Sequence, residues 1–310
     1  MAAGSYSVSA KATDAQGFSI ESAAAAISVI AAPAIIASGG LDGSTVADSS
    51  ATITGTVQTP LNSAVTVNGV PAVITNNGEF FVNGLPLNAG PNTLTIIVTT
   101  ADGVSSSQTI TVHGSGPSPF KFEVDRSSGV APLTANFTVS NPGNAAFDKI
   151  DLDFQNDGTA DLILNALPAP ETITLLFPGP GTGRVTMKVK DVGGNVIFTQ
   201  TILVYVYSAL QKANMIQGVY DGLLARLGSG NIESALNLTT SMLQDQFRQL
   251  FLSFGSQLGT VVQGFGQVES IQFGETYAQI FVVRNTPTGT DGYIVQVVQD
   301  RDGIWRIGGM

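Results

Sequence analysis

The spacing of apolar residues changes at Ser208 from a period of two to that of a helix, and this change most constrains the fold. Before Ser208, short apolar runs alternate with polar residues at a period of two, which is typical of half-buried β-strands. After it, apolar residues recur at helical spacing from Leu210 to Leu227, which predicts an amphipathic helix. We therefore expect an all-β part followed by an α+β part.

The all-β part has the pattern of β-sandwiches in tandem. Its strands are short, and the alternation is strongest in residues 51–57, 79–82 and 93–98. The pair Asn68-Gly69 predicts a hairpin, because both central residues of a type I′ turn need a positive φ. With 310 residues, 35 of them glycine, and 43% hydrophobic side chains, the chain is long enough for several modules and apolar enough to fill their cores.

The α+β part is expected to place three helices before an antiparallel sheet. Gly228 and Gly230 end the first helix, Asn231 caps a short second one, and the apolar residues from Met242 to Leu258 predict a third. Strands are predicted at residues 268–273, 277–284, 293–299 and 304–307, with a tight turn at 300–303. The helices are expected to pack on one face of this curved sheet.

Composition and charge exclude several function classes. The chain carries 13 Lys and Arg against 23 Asp and Glu, a formal net charge of −10, so nucleic acid is not an expected partner. Cysteine is absent and His113 is the only histidine, which argues against thiolate catalysis, His-ligated zinc and Ser-His-Asp hydrolysis. No stretch has the length and composition of a transmembrane segment. We expect a protein that is not an enzyme and has no cofactor, with calcium as the one candidate.

The first residues resemble the end of a bacterial immunoglobulin-like repeat. The phrase from Tyr6 to Gly17 follows the pattern Y-x-V-x-A-x-A-x-D-x-x-G that closes such repeats. The resemblance implies that residues 1–31 are the C-terminal part of a truncated domain. The sequence is accordingly expected to begin inside a longer protein.

Two further stretches resemble known sandwich families. Residues 32–114 resemble a complete glucodextranase-type immunoglobulin-like domain, through segments 55–57, 65–69, 78–80 and 90–95. Residues 115–207 resemble a polycystic-kidney-disease (PKD) domain, which opens with G-x-x-P-L-x-V-x-F, here residues 129–137. Leu152 stands where that family usually has Trp, and Gln155-Asn156 stand where it has a single Gly.

Residues 208–310 resemble the ketosteroid isomerase and nuclear transport factor two (cystatin-like) superfamily, through segments 227–236 and 303–307. This resemblance implies a cone with a pocket between sheet and helices. Tyr220, Tyr277 and Tyr293 are the candidates to line that pocket, and the alternative is that they are ordinary core aromatics with a polar tip. No general base can be assigned beside them.

The candidate metal site is an acidic loop in the PKD-like segment. Asp151, Asp153, Asp157 and Asp161 offer several hard oxygen ligands in a short stretch, and such ligands suit Ca²⁺. In a calcium-loop alignment, Leu164 occupies the position of the bidentate Glu, so only a weak site is predicted. The alternative is a solvated turn whose carboxylates cap the adjacent strand ends.

The expected function is structural and adhesive. The chain is interpreted as a non-catalytic segment of a secreted or cell-surface bacterial protein. Its modules act as spacers or contact extracellular protein or carbohydrate, and they present the C-terminal unit. Short linkers predict an extended string. Two alternatives stay open: a C-terminal pocket for a small hydrophobic ligand, or the accessory part of an extracellular polysaccharide-active enzyme whose catalytic domain precedes residue 1.

Overall fold

The computed structural model describes residues 4–29, 32–37, 41–46, 50–60, 62–169, 172–287 and 289–310. Within these ranges the chain forms 25 strands and four α-helices, and every helix follows residue 208. The predicted order of an all-β part and then an α+β part is confirmed. No helix among the described residues is long and apolar enough to cross a membrane.

Two small hairpins form the N-terminal segment. The outer one pairs β1 (Gly4–Val8) with β4 (Ala25–Val29), and the inner one pairs β2 (Lys11–Thr13) with β3 (Ser19–Glu21). Asp14 closes the inner turn, because its Oδ1 accepts hydrogen bonds from two backbone amides. Phe18 at the tip is 77% exposed, so these hairpins do not enclose it in a core.

The first complete sandwich consists of nine strands in two sheets. They are β5 (Ala34–Ala37), β6 (Thr45–Val46), β7 (Ser50–Gln58), β8 (Ser63–Val67), β9 (Val70–Pro71), β10 (Val73–Ile74), β11 (Glu79–Pro86), β12 (Gly90–Thr100) and β13 (Ser105–Gly114). The sheet orders are β10-β11-β7-β5 and β6-β13-β12-β8-β9. Alternate residues of β7 and β12 point into the shared core. Asn68 and Gly69 have φ values of +50° and +81°, which confirms the predicted turn between β8 and β9.

The second sandwich follows the same principle with eight strands. They are β14 (Lys121–Val124), β15 (Ser128–Val130), β16 (Leu133–Ser140), β17 (Lys149–Asp153), β18 (Leu162–Leu164), β19 (Thr172–Phe177), β20 (Gly181–Lys190) and β21 (Val196–Tyr207). The sheet orders are β14-β16-β19 and β15-β21-β20-β17-β18. Phe120, Phe122 and Phe137 fill the space between the sheets. The chain therefore contains tandem immunoglobulin-like sandwiches.

The C-terminal unit packs helices on one antiparallel sheet. The helices are α1 (Ala209–Gly228), α2 (Ile232–Leu236), α3 (Ser241–Ser253) and α4 (Leu258–Gln263), and the strands are β22 (Gln267–Phe273), β23 (Tyr277–Thr286), β24 (Gly289–Gln299) and β25 (Trp305–Gly309), in the order β22-β23-β24-β25. Ser208 and Gln211 form a capping box at the start of α1, and Asn231 caps α2 as predicted.

The third predicted helix is shorter than its apolar stripe. The stripe from Met242 to Leu258 predicts one helix, but α3 ends at Ser253 and a 3₁₀ turn (Gly255–Gln257) separates it from α4. Gly255 has a φ of +51°, which interrupts the helical backbone. Met242 is also exposed rather than buried.

The three larger units pack against one another. Ala64 and Ala101, from the first sandwich, belong to the same buried cluster as Tyr220 and Ile304 of the C-terminal unit. The two sandwiches meet through Phe81, Leu203 and Tyr205. The prediction of an extended string of modules is therefore wrong for the described part of the chain. The units are held together by buried apolar contacts as well as by the covalent linkers.

Gly78 and Gly69 provide a matched pair of substitutions. Both have a positive φ, so alanine at either position strains the backbone by about 1 kcal/mol. At Gly78 an added Cβ would also lie 2.4 Å from the carbonyl oxygen of Val57, whereas at Gly69 it would meet no atom within 4 Å. We expect Gly78→Ala to lower the apparent unfolding free energy in urea clearly more than Gly69→Ala. Equal losses would contradict the close approach of Gly78 to β7.

Candidate functional site

The carboxylates of the acidic loop at the end of β17 accept hydrogen bonds from the backbone of the loop itself. Three of them accept hydrogen bonds from backbone amides: Gly158 to Asp153 at 2.9 Å, Thr159 to Asp157 at 2.8 Å and Phe154 to Asp161 at 2.6 Å. These are the bonds of a capped turn, which is the alternative that the sequence left open.

Asp151 does not converge with the other aspartates. It forms an ion pair with Lys190, with 2.6 Å between Nζ and Oδ2. One oxygen of Asp151 and one of Asp153 are buried without a hydrogen-bond partner. Among the residues that the structure describes, no group of three or more acidic or histidine side chains is arranged to hold a metal ion. Calcium therefore stays a prediction without a converging set of ligands.

The three candidate pocket tyrosines do not lie together. Tyr220 on α1 and Tyr293 on β24 meet with their hydroxyl oxygens 2.9 Å apart, and Tyr293 donates to the carbonyl oxygen of Phe265. Burial and the neighbouring Tyr293 raise the pKa of Tyr220 above its usual range. Tyr277 is 56% exposed at the start of β23 and contacts Gly274 instead.

Side chains pack the core between the helices and the sheet of the C-terminal unit, and a groove of about 640 Å³ lies beside it between α1 and α4. Phe251 from α3, Leu223 from α1 and Ile280 from the sheet are fully buried in one continuous cluster. Trp305 belongs to the same cluster and is 2% exposed. The arrangement matches the alternative reading of Tyr220 and Tyr293 as core aromatics with bonded hydroxyls.

A cavity of about 470 Å³ lies where the two sandwiches and the C-terminal unit meet. The first sandwich contributes Ser63 and Ile74, and the second contributes Tyr207. The C-terminal unit contributes Lys212 and Trp305. This volume falls within the range of ligand pockets, which is about 300 to 1,000 Å³.

Lys212 is the most unusual side chain in the lining of this cavity. It lies one turn into α1 and is 7% exposed, although lysine is among the residues that are least often buried. Its Nζ lies 4.3 Å from the centre of the Trp305 ring and 5.5 Å from that of Tyr207. Among the described residues its ammonium group makes no hydrogen bond or ion pair, so these aromatic faces are its partners.

Burial changes the titration of the groups around the cavity. Desolvation lowers the pKa of Lys212 to about 8, because no carboxylate compensates the charge. Burial and the neighbouring Tyr205 raise the pKa of Tyr207 above its usual range. The cavity therefore holds a lysine that changes charge close to neutral pH.

The backbone around the cavity is fixed by side chains from other units. Asn62 donates to the carbonyl oxygen of Trp305 at 2.8 Å and accepts from its amide at 2.9 Å. This pair of bonds satisfies the backbone of Trp305 on the outer edge of β25, and Leu238 and Thr240 bond to Ile307 further along the same edge. The Tyr207 hydroxyl donates to the carbonyl oxygen of Ile74 at 2.9 Å. Both aromatic partners of Lys212 are thus held in place by the first sandwich.

The comparisons with known proteins give one family match and several solved structures of low similarity. Residues 33–115 match the family described as glucodextranase, domain B, which confirms the resemblance of the first complete sandwich. No curated relative matches this chain.

Several solved structures share a likeness with the chain at low similarity. Fibronectin(III)-like modules of Clostridium thermocellum CbhA are 14% identical, with a TM-score of 0.22 and coverage of 57% of this chain and 96% of theirs. The Bacteroides ovatus SGBP-B of a mixed-linkage glucan utilization locus, in complex with a mixed-linkage heptasaccharide, is 15% identical, with a TM-score of 0.19 and coverage of 66% and 53%. The Ig1-2 module of the Drosophila receptor protein tyrosine phosphatase DLAR is 13% identical, with a TM-score of 0.25 and coverage of 57% and 99%.

Sequence reasoning did not find Lys212, although one signal was present. The buried stripe of α1 contains Ile216, Val219, Tyr220, Leu223 and Leu227. Lys212 precedes Ile216 by four residues and therefore lies on the same face of the helix. A lysine at such a position is expected to be buried with the rest of the stripe. The signal is easily missed, because lysine is usually assigned to the solvent-exposed face.

Replacing Lys212 by Met is expected to change how stability depends on pH. The pKa of Lys212 is about 8 in the folded chain and 10.5 in the reference state, so the unfolded chain binds more protons between these values. Wild-type stability therefore rises with pH in this window, by about 2 kcal/mol between pH 7 and pH 9.5 from this group. Lys212→Met should be more stable than wild type at pH 7, and the difference should shrink towards pH 9.5.

Urea unfolding of both proteins at the two pH values measures this difference. Tyr207 and Tyr220 act in the opposite direction above about pH 10, because their pKa values are raised, but they are common to both proteins. A difference in stability that does not change with pH would contradict the buried position of Lys212.

Proposed function

We propose that this chain is a non-catalytic segment of a secreted or cell-surface bacterial protein, in which the sandwiches brace and present the C-terminal α+β unit. The observation that carries this proposal is the set of partly buried polar contacts that join the units. A flexible string of modules would lack such contacts, whereas a presenting scaffold needs them to hold its last unit in a fixed orientation.

The contact between the first sandwich and the C-terminal unit is centred on Asp102. Arg226, in the last turn of α1, binds its two carboxylate oxygens at 2.8 and 3.1 Å. Ser234 on α2 donates to the same carboxylate at 3.0 Å. A bidentate arginine pair of this kind is stronger and more directional than an exposed pair of single charges.

The contact between the two sandwiches is centred on Asn83. Its side-chain amide donates to the carbonyl oxygen of Leu203 at 2.8 Å, and its Oδ1 accepts from the Leu203 amide at 3.0 Å. Ser127 receives a further hydrogen bond from Asn83 at 3.0 Å. Phe81 packs beside Leu203 in the same junction. The side chain of Asn83 thus pairs with both backbone groups of Leu203 on β21, as a neighbouring strand would.

The domain boundaries that fit this role are those expected from the sequence. We propose a truncated immunoglobulin-like piece at 1–31, a glucodextranase-type sandwich at 32–114, a PKD-like sandwich at 115–207 and a cone-like α+β domain at 208–310. The family match at 33–115 supports the second of these.

The proposed partners are extracellular carbohydrate or protein. Glucodextranase is by its name a polysaccharide-acting enzyme, so the match at 33–115 also favours a second candidate function. In that case the chain is the accessory part of an extracellular polysaccharide-active enzyme. The non-catalytic assignment is supported by the filled C-terminal core and by the bonded hydroxyls of Tyr220 and Tyr293.

Solution scattering tests whether the units form one body. We expect wild type to give the scattering curve of a compact particle. The double variant Asn83→Ala/Asp102→Ala should show a larger radius of gyration and interdomain flexibility, because it loses the central polar contact of each junction. Truncating one partner of such buried pairs costs about 2 to 5 kcal/mol.

The matched control removes an ion pair inside a single unit. Asp291→Ala breaks the contact of Asp291 with Arg284 across β23 and β24, and it should leave the scattering curve unchanged. If wild type already scatters as flexibly linked units, or if the control expands as much as the double variant, the presenting scaffold is refuted.

Activity assays test the non-catalytic assignment directly. We expect the purified chain to release no reducing ends from dextran, starch or pectin during prolonged incubation. If ends appear in proportion to protein and persist after repurification, the chain is an enzyme and the assignment is wrong.

A further inference from the structure

We propose that the cavity between the three units binds a small saccharide that carries a carboxylate, and that Lys212 Nζ is its anchor. The proposal rests on the cavity itself and does not require the presenting role. The chemical class follows from the charges, the free polar groups and the volume of the lining.

The formal charges around the cavity leave one cation unpaired. Glu275 in the lining forms an ion pair with Arg126 at 2.9 Å. Asp302, also in the lining, pairs with Arg306 at 2.8 Å. Lys212 is then the one lining residue among those described whose full charge lacks an opposite charge. Arg126 and Arg306 each contact a second carboxylate as well, of Asp125 and Asp300, so no cation other than Lys212 is free in this region of the described chain. A carboxylate bound at Lys212 Nζ supplies the ion-pair partner that this side chain lacks.

A buried ammonium group is costly unless it has both charge compensation and hydrogen bonds. The rings of Trp305 and Tyr207 stabilise the cation through their faces but accept no conventional hydrogen bond from it. A carboxylate placed on Lys212 Nζ supplies the missing acceptors. A charged hydrogen bond of this kind contributes about 1.5 to 3 kcal/mol.

The remaining lining favours a ligand with hydroxyl groups. Ser128, Asn76 and Asn214 all line the cavity, and their side chains make no hydrogen bonds with the described part of the protein. Hydroxyl and amide groups in this state match the alternating donors and acceptors of a sugar ring. A cavity of about 470 Å³ also exceeds the space that a simple acid such as acetate would fill.

The acidic character of the whole chain does not oppose this assignment. The net charge of −10 is spread over 310 residues, and salt screens exposed charges beyond about 8 Å. A long polyanion would meet many of these charges at once, whereas a small monoanion inside the cavity meets Lys212 and the two arginine-paired carboxylates of Glu275 and Asp302. The site therefore selects for small size as well as for charge.

Trp305 offers a direct readout because it is the only tryptophan of the chain. Its ring lies 4.3 Å from Lys212 Nζ, so a ligand bound to that amine changes tryptophan fluorescence. The probe is galacturonate, and galactose is the matched neutral control. We expect saturable binding of galacturonate to the full chain and at least tenfold weaker binding of galactose.

Variants and pH identify the anchor. Lys212→Met should weaken galacturonate binding at least tenfold, measured by calorimetry as well as by fluorescence. The control Lys121→Met removes an exposed lysine on β14 and should bind as wild type does. In wild type, which needs no substitution, affinity should fall as pH rises from 7 to 9.5, because the carboxylate of the probe stays ionised while Lys212 loses its proton.

Four results would overturn the proposal. Equal binding of galactose and galacturonate would remove the role of charge, and unchanged binding by Lys212→Met with no pH dependence in wild type would remove the anchor. Acetate binding as tightly as galacturonate would refute the saccharide. Absence of galacturonate binding to wild type at millimolar concentration would refute the site as a whole.

Discussion

The ion pair between Asp102 and Arg226 determines how the units are arranged. Asp102 lies in the turn between β12 and β13, and Arg226 lies in the last turn of α1, so this contact ties the end of the helix to the first sandwich. The start of α1 follows directly from β21 of the second sandwich and is fixed by the Ser208 capping box. A 20-residue helix, about 30 Å long, is therefore held at both ends by different sandwiches. Its orientation places Lys212 between Tyr207 and Trp305.

The buried position of Lys212 lowers the stability of the folded chain at neutral pH, where its side chain carries a charge. A methionine of similar length would fill the same space without desolvating a charge, and the core next to it is otherwise apolar. The rings of Trp305 and Tyr207 reduce this cost but do not remove it, as the lowered pKa of Lys212 indicates. Buried titratable groups with a perturbed pKa are concentrated at functional sites.

Local patterns in the sequence predicted the elements well. The turn at Asn68-Gly69, the cap at Asn231 and the strands of the last sheet follow from rules that act over a few residues. The helix break at Gly255 was missed because glycine within an apolar stripe is often tolerated. The packing of the units was also missed. Contacts such as that of Asn62 with Trp305 join residues 243 positions apart, and neither residue differs locally from an ordinary surface amide or core aromatic.

The sequence predicted some features of the candidate sites and missed others. The pairing of Tyr220 with Tyr293 brings together two of the three tyrosines singled out from the sequence, whereas Tyr277 lies apart on the surface. The acidic loop was recognisable from composition, but the direction of each carboxylate depends on the turn backbone. The junction cavity had no sequence signature, because its lining comes from three units that are far apart in the sequence.

The bonds between Asn62 and β25 also bear on mechanics. Tension that separates β25 from the first sandwich acts first on these two hydrogen bonds and on the neighbouring Asp102 contact, since they join the two units directly. The second sandwich lies in the covalent connection between them and carries no tension while these contacts hold. Once they rupture and the Asn83 junction between the two sandwiches also opens, the chain can lengthen without unfolding any β-sheet. Contacts between the units, and not the ladders of the β-sheets, are thus the first to bear force at this junction.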